Sequence, residues 1–301
     1  ANYKGTTHIG KNGLERYYEN ELHGMVGYKN VEVNVQGREL RVLEKIPPVP
    51  GNNLWLTLDS RLQKAAEQAL QDYNGSVVVM QPQTGEVLAM ASMPSFDPNL
   101  FVHGISYKDY HRLRDSPERP LFNRSIMGQY PPGSIIKPLM ALGGLESQQI
   151  GHKETVHCAG SYMLPNDERK YRCWKNTGHG DVDMDDAISQ SCDVYFYELA
   201  YRMGIDRIHA FLQQFGLGEK TGIDLLGERS GLLPSREWKK RNRNMIWFPG
   251  ETLITGIGQG YMLVTPLQMA TSTSILAMRG QHKQPHLLAQ IEQVVTDSWL
   301  M

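Results

Sequence analysis

Ser134 and Lys137 stand three residues apart in "YPPGSIIKPLMALGGLE" (130–146), where a Pro-Pro-Gly turn breaks the chain and an apolar, helix-forming run follows. A serine hydroxyl is a weak nucleophile until a neighbour takes its proton. Residues i and i+3 share a helical face, so Lys137 is placed to act as the general base for Ser134. At a helix N-terminus the partial positive charge favours a developing oxyanion, and the Ser134 N–H is a candidate oxyanion donor. A second pair lies 57 residues beyond Ser134, in "SQSCDVYFYELA", where Ser191 and Asp193 flank Cys192. In an extended or turn conformation, i and i+2 face the same side and the residue between them faces away. Ser191 and Asp193 can then share a cleft with Ser134. Either can equally cap the helix "VYFYELAYRMG".

The three cysteines, Cys158, Cys173 and Cys192, fall within 35 residues, with His179 among them. Structural zinc is four-coordinate and takes thiolate and imidazole ligands, so Cys158, Cys173, His179 and Cys192 make a complete set. His157 is a spare ligand. A Cys158–Cys173 disulfide with a free Cys192, or three inert thiols, are the alternatives. A bound zinc would sit behind the Ser191–Asp193 loop, with no open position and no part in the chemistry.

With 301 residues, the chain is long enough for one large domain or two smaller ones. It is 40% hydrophobic and carries a formal net charge of -1, which gives no footing for nucleic acid as a partner. There is no run of eighteen apolar residues and no signal peptide at Ala1, and "ANYKGTTHIG" reads like the middle of a protein. "GIGQG" (256–260) is not a dinucleotide-binding fingerprint but a tight turn beside the cleft. "REWKKRNRNMIW" reads as a solvated basic face.

The elements that must position these groups are legible from periodicity. "GLERYYENELHG" predicts a short amphipathic helix, and "VEVNVQGRELRVLEKI" a hairpin turning near Gln36-Gly37. "PPVPGNN" (47–53) marks a boundary between residues 1–50 and 51–301. "LWLTLD" predicts a strand, Asp59 a cap for the helix "SRLQKAAEQALQDY", and "VVVMQPQTGEVLAMAS" a hairpin around Pro82–Gly85. Residues 94–133 read as loop. Helices are expected from Ser134, from Met184 to about Phe215, and after Pro266, with a last strand in "HLLAQIEQVV". The class is α+β, an antiparallel sheet with a large helical layer.

In this order, "IGKNGLERYYENELHGMVGY", "VVVMQPQTGEVLAMASMPSFDPNLF", "YPPGSIIKP", "REWK" and "GIGQGYMLVTPLQMA" resemble the class B penicillin-binding proteins of the elongation-specific type over essentially the whole chain. The resemblance implies a pedestal segment in 1–50 and, in 51–301, a transpeptidase domain of the serine β-lactamase-like fold. It implies Ser134 as the acylated nucleophile, Lys137 as its base, Ser191 as a proton relay, and Asp193 where most relatives have Asn. The family's third motif, Lys-Ser/Thr-Gly, lies on an edge strand beside the nucleophile. The literal match at Lys220-Thr221-Gly222 comes only 27 residues after Asp193, in a turn, and is read as a decoy. The genuine motif and closing strands are therefore expected to be missing from this chain.

The implied activity is peptidoglycan DD-transpeptidation on stem peptides, with β-lactam antibiotics as acylating mimics. A serine β-lactamase or a non-catalytic β-lactam sensor are the rivals. No Glu-x-x-Leu-Asn occurs, so the deacylating glutamate of class A β-lactamases has no counterpart. The resemblance further implies a SEDS-type glycosyltransferase and the elongation machinery as partners. It also implies a membrane anchor holding the protein at the periplasmic face of the bacterial inner membrane.

Overall fold

The structure, a computed structural model, describes residues 9–102 and 104–294. The predicted first helix is two short turns, α1 (Gly13–Tyr17) and α2 (Glu19–Leu22). The expected hairpin follows as β1 (Tyr28–Val33) paired antiparallel with β2 (Glu39–Ile46), both largely exposed. This segment does not float free. Leu14 packs on a cluster that includes Val87, Ile126 and Leu267, and the Tyr18 hydroxyl donates to buried Asp224 at 2.7 Å.

Strand β3 (Asn53–Leu56) leads into α3 (Ser60–Ala69), whose Asp59 cap accepts from the Arg61 and Leu62 amides as predicted. The hairpin β4 (Gly75–Met80) and β5 (Val87–Met93) forms around Pro82–Gly85. Residues 94–133 carry more structure than the loop reading expected: a 3-10 turn at Pro98–Phe101, then α4 (Tyr107–Arg114) and α5 (Arg124–Met127). Each starts at a side-chain cap, Asp97, Ser106 and Asn123 respectively, and these isolated capping signals outweigh weak apolar periodicity.

Ser134 does not begin an α-helix. It lies in a 3-10 turn, Gly133–Ile136, and α6 (Lys137–Glu146) begins at Lys137, with Pro138 in its first turn. Four short strands follow, β6 (Val156–Cys158), β7 (Ser161–Met163), β8 (Lys170–Arg172) and β9 (Gly180–Val182), paired β6–β9 and β7–β8. The helix expected from Met184 is broken twice: α7 (Met184–Ser189) is followed by α8 (Asp193–Gln213), which is itself kinked at Gly204, where φ is +73°. Ser191 between them has φ +53°, a left-handed backbone that no helix accommodates.

The remaining helices are α9 (Arg236–Arg243), α10 (Pro249–Gly256) and α11 (Pro266–Ala277), the last with a Thr265–Gln268 capping box. Strand β10 (Leu288–Glu292) pairs antiparallel with β3. The β3–β10 and β4–β5 pairs are stitched together where the Thr57 hydroxyl donates to Val87 O and Val87 N–H to His286 O. The main core lies in the helical layer. In α8, Val194, Tyr195, Phe196, Tyr197, Leu199, Ala200 and Met203 are all buried, so this helix is enclosed by α6 and α10 rather than laid on a surface. Among the described residues, no helix is long and apolar enough to cross a membrane.

Candidate active site

Lys137 is the centre of the site. As the first residue of α6 it is 1% exposed, and its ammonium makes three hydrogen bonds: 2.9 Å to Ser191 Oγ, 2.9 Å to the Ser191 carbonyl and 2.7 Å to Asp193 Oδ1. An ammonium has three donors, and all are satisfied here. The Phe196 ring, one turn into α8, lies 5.5 Å from the same nitrogen. Asp193 is the first residue of α8, where a carboxylate also suits the positive end of the helix dipole. Its second oxygen, Oδ2, accepts the Trp174 N–H at 3.1 Å, and the Trp174 indole donates to the Gln190 carbonyl at 3.0 Å.

The left-handed turn at Ser191 explains how both motif residues reach Lys137. It swings the Ser191 side chain and carbonyl onto one ammonium while Cys192, 0% exposed, faces away. The structure thus gathers Lys137, Ser191 and Asp193. Ser134 is placed differently. It is exposed on the 3-10 turn just before Lys137, and its hydroxyl makes no hydrogen bond among the described residues. Ser134 is presented to solvent, while its prospective base is held from behind.

Two contributors make contacts that were not legible in the sequence, although the "GIGQG" turn itself was expected beside the cleft. One is Trp174, which pins Asp193. The other is Gly258 in the "GIGQG" turn, whose carbonyl accepts the Gly133 N–H at 2.8 Å. Gly258 has φ +71°, and a Cβ there would run into the Gly133 backbone. This steric lock holds the nucleophile turn. Replacing Gly258 by Ala should therefore slow acylation of Ser134 by about 10²-fold, the cost of a small misplacement of a reacting group. Stopped-flow acylation by a chromogenic β-lactam checks it.

Lys220-Thr221-Gly222 is not on a strand and is not bonded to the cleft. The Thr221 N–H and hydroxyl and the Gly222 N–H all donate to buried Glu228, which accounts for this tripeptide structurally.

Behind the Ser191–Asp193 loop, the ligand atoms of Cys158, Cys173, His179 and Cys192 lie within 4.8 Å of one another. His179 Nδ1 is 3.5 Å from Cys158 Sγ and 3.6 Å from Cys173 Sγ. Ligands on a tetrahedral zinc stand about 3.5 Å apart, given Zn–S near 2.3 Å and Zn–N near 2.0 Å. All three cysteines are free, so no Cys158–Cys173 disulfide is formed. The other ring nitrogen, His179 Nε2, is buried without a partner. Burial lowers the His179 pKa and pushes the Cys192 thiol up to about 12. The four residues fit a metal by number, donor type and spacing. His157, the spare candidate, is exposed and paired with Asp181 on the β6–β9 ribbon instead.

The fold has counterparts among known proteins. Residues 75–299 match the penicillin binding protein transpeptidase domain, and residues 1–56 match the penicillin-binding protein dimerisation domain. The chain belongs to the penicillin-binding protein transpeptidase family. Within it, the chain is 49% identical over 286 residues to the peptidoglycan D,D-transpeptidase MrdA of Acinetobacter baumannii, covering 95% of this chain and 43% of that protein. It is 48% identical to MrdA of Escherichia coli over 288 residues, covering 96% and 46%. The crystal structure of Pseudomonas aeruginosa PBP2 in complex with WCK 5153 superposes with a TM-score of 0.87 at 50% identity, covering 98% of this chain and 63% of that one. The complex between PBP2 and MreC from Helicobacter pylori gives 0.87 at 38% identity, covering 96% and 54%. The chain spans about half the length of the curated relatives it matches.

Proposed function

We propose that this chain carries the nucleophile of a peptidoglycan DD-transpeptidase that cross-links stem peptides through a serine acyl-enzyme during cell elongation. The observation that supports this most directly is the Lys137 ammonium held jointly by Ser191 and Asp193, one turn from an exposed Ser134. Once Lys137 has given up one proton, its nitrogen accepts the Ser134 hydroxyl proton as Oγ attacks the donor amide carbon. Ser191 passes a proton to the leaving nitrogen, the C–N bond breaks and D-Ala departs. A neighbouring stem's amine then attacks the ester, and Ser134 recovers its proton. The relatives named peptidoglycan D,D-transpeptidase support this reading. So does β4, which among the described residues pairs only with β5. Its residues also line a groove of about 780 Å³ that reaches Pro132 and Ile135 of the nucleophile turn.

The same reading divides the chain near residue 50 into pedestal and transpeptidase parts. It places the protein, membrane-anchored, at the periplasmic face of the inner membrane with a SEDS-type glycosyltransferase as partner. Similar proteins have been solved with MreC and within a peptidoglycan synthase complex. The test is labelling of the full-length protein with a fluorescent penicillin, then cross-linking of a stem-peptide substrate. Label that persists for hours, together with cross-linking, is expected. Rapid recovery of free enzyme would point to a β-lactamase, and stable label without cross-linking to a sensor.

Cys158, Cys173, His179 and Cys192 hold a structural zinc in the same proposal. With four protein ligands the ion has no open position, and it takes no part in the chemistry. Metal analysis of protein purified without chelator should find about one zinc per chain. Cys192→Ser should lose the metal, lower the thermal midpoint and slow acylation, because Cys192 sits between Ser191 and Asp193. A metal-free wild-type protein would end this part of the reading.

A further inference from the structure

Three thiols packed together are a redox group as well as a ligand set. The sulfurs of Cys158, Cys173 and Cys192 lie within 4.8 Å of one another, and none is in a disulfide. The reading above places them at the periplasmic face of a membrane, where disulfides form and persist. Ligation to one ion holds such thiols apart as separate ligands. Released, they are a dithiol within reach of a bond.

The geometry selects one pair. The Cys192 thiol hydrogen-bonds Cys158, so these two sulfurs already face each other. Cys158 ends β6, which is fixed by its pairing with β9. Cys192 lies in the turn between α7 and α8, and although it is the N-cap of α8 its side chain makes no capping bond. Ser191 beside it has φ +53°, a conformation that persists only while its surroundings hold it. When the two sulfurs close on each other, the turn therefore moves and the strand stays. All three cysteines are buried, but the 173–179 segment, which carries two of the four ligands, is irregular and lies at the surface. Trp174 in it is exposed and His179 is half-buried, which leaves a small neutral oxidant only one side chain to pass.

The turn that moves carries both anchors of Lys137. Ser191 and Asp193, on either side of Cys192, hold the ammonium at 2.9 and 2.7 Å. Asp193 is held in turn by the N–H of Trp174, the neighbour of Cys173. A shift of about 1 Å at Cys192 takes bonds of this length out of range.

We propose that Cys158 and Cys192 form an oxidation site, joined as a disulfide by a peroxide, and that this modification dismantles the metal site and slows acylation of Ser134. The Cys158 sulfur attacks one peroxide oxygen, the O–O bond breaks, and the departing hydroxide takes the thiol proton as water. The Cys192 sulfur then attacks the sulfenic sulfur, the S–O bond breaks, and the hydroxyl leaves with the Cys192 proton as a second water. Two thiols lose two electrons, and one peroxide becomes two waters. Cys173 and His179 remain, too few ligands for a closed four-coordinate ion. The effect on acylation rests on the transpeptidase reading, whereas the oxidation site does not.

The experiment treats the full-length wild-type protein with hydrogen peroxide and follows three readouts. Peptide mapping should find a Cys158–Cys192 disulfide with Cys173 still a thiol. A chromogenic chelator should detect about one zinc released per disulfide formed. Acylation by a fluorescent penicillin should slow by about 10²-fold, the cost of misplacing a reacting group, and a phosphine reductant with added zinc should restore it. In Cys158→Ser, whose starting rate is lower because a ligand is gone, peroxide should change the acylation rate by less than about two-fold. Intact thiols after treatment, a disulfide that contains Cys173, or a Cys158–Cys192 disulfide that leaves acylation unchanged would each overturn the proposal. Untreated protein that is never acylated would sink the transpeptidase reading instead, and the peptide map would still decide the oxidation site.

Discussion

Ser134→Ala abolishes covalent labelling by a fluorescent penicillin and leaves the folded protein's stability within about 0.5 kcal/mol of wild type. The two halves of this expectation have separate causes. Labelling needs a bond from Ser134 Oγ to the β-lactam carbonyl carbon, and alanine supplies no oxygen. Stability is untouched because Ser134 is exposed on its 3-10 turn, with no side-chain hydrogen bond among the described residues to lose. Gel fluorescence and a thermal melt of the same preparation check both halves. Residual label on Ser134→Ala would remove Ser134 from its role. A large fall in stability would mean that the turn depends on the hydroxyl.

Lys137→Met has the opposite profile, losing both activity and stability. Acylation should fall by about 10²–10⁴-fold, the usual worth of a general base. Stability should fall by about 3–5 kcal/mol, because methionine fills the space but strands Asp193 beside it. The side chains of Lys137 and Asp193 are only 2% and 14% exposed, so solvent does little to screen the pair. The double variant Lys137→Met with Asp193→Asn separates the effects. Removing the stranded charge should restore much of the stability and none of the acylation rate. If the double variant is as unstable as the single one, the ion pair is not what holds α6 to α8 at this point.

Much of this site was open to reading because its residue types and spacings have few other uses. Ser134 and Lys137 follow a turn that exposes the serine while the lysine is buried at the start of α6. Ser191 and Asp193 flank a cysteine, and only a sharp turn can bring both to one ammonium while burying that cysteine. The details that escaped were conformational. The three-residue spacing of Ser134 and Lys137 suggested side chains meeting across one α-helical turn, but Pro138 moves the helix start to Lys137 and leaves Ser134 in a 3-10 turn. The break between α7 and α8 was hidden because "MDDAISQSCDVYFYELA" has no glycine or proline, and the left-handed residue is Ser191 itself. The contacts of Trp174 and Gly258 depend on segments distant in sequence, and no local pattern announces them. Similarly, the single hairpin period of β4 and β5 was clear, whereas the pairing of β3 with β10 joins segments over 230 residues apart.

Asp224 accepts the Tyr18 hydroxyl at 2.7 Å and the Leu287 and Leu288 amides at 2.7 and 2.9 Å, so one carboxylate gathers the two ends of the described chain. Its partners differ greatly in when they are made. Tyr18 precedes Asp224 by 206 residues. At about 5–20 residues per second, that is roughly 10–40 s of synthesis. For that interval α1, α2 and the β1–β2 hairpin, with Val33, Leu40 and Val42 exposed, are already made while their anchoring carboxylate is not. The segment that precedes the catalytic body in sequence is therefore fastened to it late in biosynthesis, and the loop it closes is among the longest in the molecule.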